Sequence, residues 1–175
     1  MLKFIGIQDK FRFFKFHKFT KTCKKLLHEK YVKNWYIKKD SFLDGILTTY
    51  FKSKQNFGFE RYLSYTKNFE YRRSMCKLRI SVHKLNIEVG RYINKTPRNE
   101  RFCKKCNTDE IKDEMHFLLL CNPFETDRKN VLDLVAGEAK NFHTLSCENK
   151  LICLMNNENI SILYTVGKFI KDNLH

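Results

Sequence analysis

The sequence predicts a mainly α protein, a small helical domain, on three observations. Apolar residues return every three or four positions over residues 68–92 and again over 159–174. A helix-start signature stands in "NPFETDRKNVLDLVAG", with Asn122 as N-cap, Pro123 in the first turn and the acid Glu125 at the capping-box position. Stretches of strict apolar/polar alternation are short and few.

Taken in order, residues 1–20, "MLKFIGIQDKFRFFKFHKFT", set Phe11, Phe13, Phe14, Phe16 and Phe19 between Arg12, Lys15 and Lys18. The alternation is partial, so a strand and an extended basic arm both remain open. Aromatic rings interleaved with cations suit the stacking of bases beside phosphates, and an arm packed on the core is the alternative. From Thr20 to Lys39, Leu26, Leu27, Tyr31, Trp35 and Tyr36 recur at helical spacing among lysines, which predicts an amphipathic helix with Trp35 and Tyr36 on its core side. Turns are predicted at Asp44-Gly45 and at Asn56-Phe57-Gly58, on either side of a short apolar segment ending at Tyr50-Phe51. The resulting division is a basic aromatic arm or helix over 1–34 and a helical domain over 35–175.

Within 68–92, Tyr71, Met75, Leu78, Val82, Leu85 and Val89 form one continuous apolar stripe if the segment is a single helix. Ser81 could cap a second helix and split the element, and Gly90 is a natural stop. Gly137 ends the helix after Pro123. A last helix runs from about Asn159 to Leu174 with Ile160, Leu163, Gly167, Ile170 and Leu174 on one face.

The net charge of +15 is unevenly placed: residues 1–101 carry 25 Lys and Arg against 8 Asp and Glu, whereas residues 102–175 carry 9 against 11. A polyanionic partner fits that excess, because phosphate backbones bind Lys and Arg with release of counterions. A merely solubilising surface is the bland alternative. No apolar run approaches the roughly 18 to 20 residues that cross a bilayer, and "MLKFIGIQDK" has no apolar core of a signal segment. The expectation is a nuclear or cytoplasmic protein, neither secreted nor transmembrane.

Seven cysteines in a reducing compartment favour metal ligation over disulfides, and the odd number argues the same way. Cys23, Cys76, Cys147 and Cys153 are isolated and read as small apolar residues or idle thiols. The others fall in "CKKCNTDEIKDEMHFLLLC", as Cys103-x2-Cys106-x9-His116-x4-Cys121. A bare CxxC is a weak signal, but the four together are specific for one structural Zn2+, with Cys103, Cys106, His116 and Cys121 closing a tetrahedral shell that leaves no catalytic position open. The fold expectation thus gains a zinc knuckle. Asp113 and Glu114 suit a helix N-terminus, so His116 comes from a first helical turn. On an ideal α-helix His116 and Cys121 differ in direction by about 140°, and local unwinding near Cys121 would close the gap.

The segments "LRISVHKLNIEVGRY", "TPRNERFCKKC" and "DEMHFLLLC" resemble the C-terminal zinc-binding (CCHC) region that follows the polymerase in reverse transcriptases of non-long-terminal-repeat retrotransposons. The resemblance extends from about Trp35 to Arg128 and is most specific from Leu78 to Cys121. It implies that the four residues are zinc ligands and that the module binds RNA or DNA. No adjacent Asp-Asp pair is present, so the polymerase motif is missing and the resemblance implies a truncated or domesticated retroelement fragment without polymerase activity. The contact pool for nucleic acid is Arg72, Arg73, Lys77, Arg79, Lys84, Arg91, Arg98, Arg101, Lys104 and Lys105. The alternative is a structural or protein-interaction domain from the tail of a polyprotein. A nuclease built on Asp133 and Glu148-Asn149-Lys150 is the weakest reading, because those residue types co-occur easily. No enzyme activity is expected.

Overall fold

The computed structural model describes residues 16–41, 47–93, 95–106 and 108–174, and among them the protein is mainly α with no strand. Residues 1–15 of the arm or helix expected over 1–34, and the turn at Asp44-Gly45, lie outside the described residues. The chain divides into two units, Met1–Leu43 and Asp44–His175.

The first unit contains α1 (Phe16–Ser41), a continuous helix that runs through the 34/35 boundary expected from the sequence. Along it Trp35 is half-buried, with the Lys39 ammonium 5.7 Å from its ring centre, whereas Leu27, Tyr31, Tyr36 and Ile37 are exposed. Tyr36 therefore departs from the core role expected of it.

The second unit runs α2 (Thr48–Ser53), α3 (Tyr62–Tyr65), α4 (Phe69–Arg79), α5 (Asn86–Tyr92), α6 (Glu125–Glu138), α7 (Cys147–Met155) and α8 (Ile160–Asn173). Its caps are local and legible. The Asn68 side chain accepts from the N–H groups of Glu70 and Tyr71, Ser146 from that of Asn149, and Asn159 from those of Ser161 and Ile162. The core is formed where α8 packs between α4 and α6, burying Met75, Leu78, Val131, Val135, Leu163, Val166 and Ile170. Gly167 is what lets α4 come so close, because a Cβ there would stand 2.8 Å from that of Tyr71. Ile160, expected on the buried face, is exposed at the first turn of α8.

The stripe over 68–92 is interrupted. Ser81 takes a left-handed backbone (φ 54°), which breaks the segment into α4 and α5 and turns Val82 out to solvent. Such a conformation costs a non-glycine residue on the order of 1 kcal/mol or more. The buried hydrogen bond from Ser81 Oγ to Glu114 Oε1 (2.6 Å) holds it in place. Ser81 thus splits the element without capping α5, whose N-cap position is Leu85. Gly90 does not end α5; it lies inside the helix, buried, where a Cβ would meet Arg101 Cγ at 2.7 Å. After Cys121 the chain makes a 3-10 turn, Asn122–Phe124, before α6 begins at Glu125, so the start expected at Asn122 is a tighter turn than an α-helix. Gly137 lies one residue inside the end of α6.

Candidate metal centre

Residues 101–112 fold back on themselves through an isolated antiparallel bridge between Phe102 and Ile111. Cys103 N–H donates to Glu110 O at 2.8 Å and Lys112 N–H to Arg101 O at 3.1 Å. This closure presents Cys103 and Cys106 on one side. His116 and Cys121 reach them from the next segment, where Asp113 Oδ1 accepts from the His116 N–H at 2.8 Å and starts the turn.

Residues His116–Leu120 form a π-helical turn, closed by the Cys121 N–H donating to His116 O at 2.8 Å. An i to i+5 hydrogen bond widens the helix so that residues five apart share a side. This is the unwinding that the x4 spacing requires. The same turn buries Phe117 and Leu118 in the core, where Phe117 packs on Phe124 and Phe169 with ring centres 5.3 Å away in each case.

The ligand atoms of Cys103, Cys106, His116 and Cys121 all lie within 4.8 Å of one another, and the set could hold a metal ion. Cys103 Sγ and Cys121 Sγ are 3.8 Å apart, and Cys106 Sγ is 3.3 Å from His116 Nε2. A tetrahedron with metal–sulfur bonds near 2.3 Å and metal–nitrogen bonds near 2.0 Å has edges of about 3.5 to 3.8 Å. The spacing fits. All seven cysteines are free thiols, so no disulfide competes for these sulfurs.

Supporting groups surround the cluster. His116 Nδ1 lies 2.8 Å from Glu110 Oε2, the carboxylate–histidine arrangement that directs Nε2 toward a metal. The Thr108 hydroxyl is 2.9 Å from Cys106 Sγ. Burial raises the Cys106 pKa, but hydrogen bonding to Thr108, Cys103 and His116 outweighs it and holds the thiol at about 6. At Cys121 burial and the adjacent Cys103 sulfur act together and push the thiol up to about 12. Lys112 is buried with these sulfurs as its attractive charges, although burial lowers its own pKa. Arg128, also buried, donates from Nη1 to Cys121 O at 3.1 Å.

Glu110, Thr108, Lys112 and Arg128 were not legible as parts of this site. No spacing rule marks them, because each reaches the cluster through the hairpin turn or from α6. Lys104 and Lys105, inside the CxxC turn, are both exposed, whereas Lys112 and Arg128 are the buried cations of the site. Lys105 lies over the Phe124 ring at 4.8 Å.

The ten basic residues expected to contact nucleic acid separate into three groups. Arg73, Lys77, Lys84, Arg98, Lys104 and Lys105 are exposed. Arg72, Arg91 and Arg101 are half-buried: Arg72 donates to Thr66 O at 2.9 Å, Arg91 pairs with Glu88 at 3.4 Å, and Arg101 donates to Thr96 O and Ile87 O, each at 2.8 Å. Arg79 is a correction, being 1% exposed. It pairs with Glu60 at 2.9 Å, donates to Met155 O at 2.6 Å and stacks on the Tyr62 ring at 4.9 Å, which leaves it no access to phosphate. Of the nuclease residues, Glu148 pairs with Lys52 at 3.2 Å and Asp133 is exposed on α6.

Fold and site together define a small, mainly helical protein with a Cys3His cluster able to hold one metal ion. No protein-family model, curated protein or solved structure matches the chain. Among the described residues no helix is long and apolar enough to cross a membrane.

Proposed function

We propose that the protein is a nucleic-acid-binding module stabilised by one structural zinc ion, without catalytic activity of its own, and akin to the C-terminal region of non-long-terminal-repeat retrotransposon reverse transcriptases. The observation that carries this reading is the four-ligand cluster with Lys104 and Lys105 exposed on its own turn. Three sulfurs and one nitrogen suit zinc, and four protein ligands leave it nothing to activate. Arg98, Lys104 and Lys105, with Arg73, Lys77 and Lys84 on α4 and just before α5, supply the cations for phosphate contacts. Nothing in this set is a helix aimed at base edges, so binding discriminates little between duplex sequences.

The test is binding of RNA and DNA duplexes across a salt series. Affinity should fall steeply as salt rises, and Lys104→Ala with Lys105→Ala should reduce the slope of that dependence by about two phosphates. Affinity that stays flat from low to moderate salt contradicts the reading. A protein-interaction role is the second reading, favoured by Val82, Tyr92 and Ile93, which are 56–73% exposed around an apolar hollow of about 290 Å³. Salt-dependent retention of nucleic acid by a monodisperse monomer would exclude it as the main activity.

A further inference from the structure

The residues on either side of Cys103, Phe102 and Lys104, line a cavity of about 330 Å³ together with Asn86, Val89, Gly90 and Arg101. Its size falls at the small end of pockets that hold organic ligands, roughly 300 to 1,000 Å³. Three features give it a chemistry.

Phe102 remains 39% exposed although its backbone is fixed by the bridge to Ile111, so an aromatic side chain is presented from a rigid position. Arg101 is held as a wall of the cavity. Its stem lies against Gly90, where any Cβ would collide with it, and its guanidinium donates to Ile87 O and Thr96 O. The adjoining stretch of chain is basic: Lys95, Arg98, Arg101, Lys104 and Lys105 stand within residues 95–105 against Glu100 alone among acids. Of these cations Arg101 and Lys104 line the cavity, while Asp109 and Glu110 lie on the segment bridged to Phe102. Glu100 itself lines the cavity, with Thr96.

A flat apolar ligand joined to several negative charges fits these features, and an unstacked base on a phosphate chain is such a ligand. We propose that this cavity takes one base of a single-stranded nucleic acid, stacked on Phe102, while the flanking phosphates lie on Arg98, Lys104 and Lys105. The proposal rests on the nucleic-acid reading above and deepens it by naming the single strand as the preferred partner. A base inside a duplex cannot enter, because its faces are already stacked, whereas single strands offer every base to an aromatic platform. Glu100 would accept from the exocyclic amine of adenine or cytosine, which thymine and uracil lack. Arg101 is already oriented, so little ordering is needed on binding.

The experiment compares wild type with Phe102→Ala and Phe102→Trp, with zinc present. The probes are oligo(dA) and oligo(rA) of about twelve nucleotides and a DNA duplex of the same length, read by anisotropy across a salt series. Phe102→Ala should lose about tenfold in affinity for the single strands. Duplex affinity and the salt slope should stay as in wild type. Phe102→Trp should keep single-strand affinity, and its emission, beyond that of the single native Trp35, should be quenched when oligo(dA) binds. The two oligonucleotides differ only in the sugar, so their ratio separates an RNA partner from a DNA one.

Equal losses on single strand and duplex, or no loss on either, overturn the proposal while leaving the wider reading intact. Wild type that binds none of the probes overturns both. If Phe102→Ala loses its helical signal, the emission of Phe102→Trp decides, and an unquenched indole at saturating oligo(dA) contradicts stacking.

Discussion

Two buried polar clusters in residues 44–175 meet the same physical problem in opposite ways. Around Arg79, the Glu60 carboxylate lies between two cations, 2.9 Å from the Arg79 guanidinium and 2.8 Å from Lys54 Nζ. Lys54 also donates to Gly58 O, and Arg79 to Met155 O, so positive and negative charge meet within the chain. Around Cys103 the converging groups are three sulfurs and an imidazole, all electron-pair donors, and the buried cations Lys112 and Arg128 are not among them. Desolvated charges of opposite sign can satisfy one another, but a shell of donors aimed at one point calls for a cation from outside. Arg79 and the cysteines lie close together in sequence and both carry charge-bearing chemistry. One is satisfied within the chain, and the other could hold a metal ion.

The strongest way to break the comparison is to take one cation from each cluster, the proposed zinc from the one and Arg79 from the other. Stripping zinc with a chelator, or replacing the fully buried Cys121 in Cys121→Ser, should cost on the order of 10 kcal/mol and abolish cooperative thermal unfolding of the helical signal. A melting curve that ignores the chelator would place the metal outside the fold. Arg79→Met should cost about 3 to 5 kcal/mol by leaving Glu60 short of its partner. Denaturant titration reads this loss, and zinc content should remain at the wild-type level. Adding Glu60→Gln to Arg79→Met should recover part of the stability; strict additivity would mean that the pair does not interact.

Smaller effects sharpen the picture. Glu110→Ala leaves every ligand in place but frees the His116 ring, so zinc affinity should fall about 10- to 100-fold in competition with a chromophoric chelator. An unchanged affinity would reduce the 2.8 Å contact to a surface pairing. The last prediction concerns acid. Burial opposes ionisation of Glu114, but the hydrogen bond and charge of His83, then the hydrogen bond from Ser81, prevail and hold its carboxyl below the ordinary 4.5. A depressed folded-state pKa stabilises the fold fully above about pH 4.5 and loses that contribution as the pH falls through the folded value. The stability gap between wild type and Glu114→Gln should therefore be widest above pH 4.5 and close below it. A gap that widens on acidification would reverse the sign.

Much of this fold is legible in local chemistry. Asn159, Ser146 and Asn68 cap helices because a side-chain oxygen finds N–H groups two or three residues on, a local interaction, although sequence reading names Asn122 as a cap instead and passes over α7. The four ligands are legible for a similar reason, since the CxxC turn and the one-turn separation of His116 from Cys121 are short-range spacings. Three other misreadings depend on partners far along the chain. Gly90 looks like a helix stop until Arg101 is seen lying across it. Ser81 looks like a cap until Glu114 supplies its acceptor. Arg79 looks like a surface cation because its partner Glu60 precedes it by 19 residues and the Met155 carbonyl follows it by 76. Basic residues on a helix announce charge, but only the packing says whether that charge faces phosphate or a buried carboxylate.

The most direct test of the central claim is the zinc content of the intact protein by native mass spectrometry, after purification without chelator, beside Cys106→Ser. One zinc per chain in wild type, absent from the variant together with its helical signal, is the predicted result. A folded wild-type chain that carries no zinc, or a Cys106→Ser chain that keeps both zinc and fold, would contradict it.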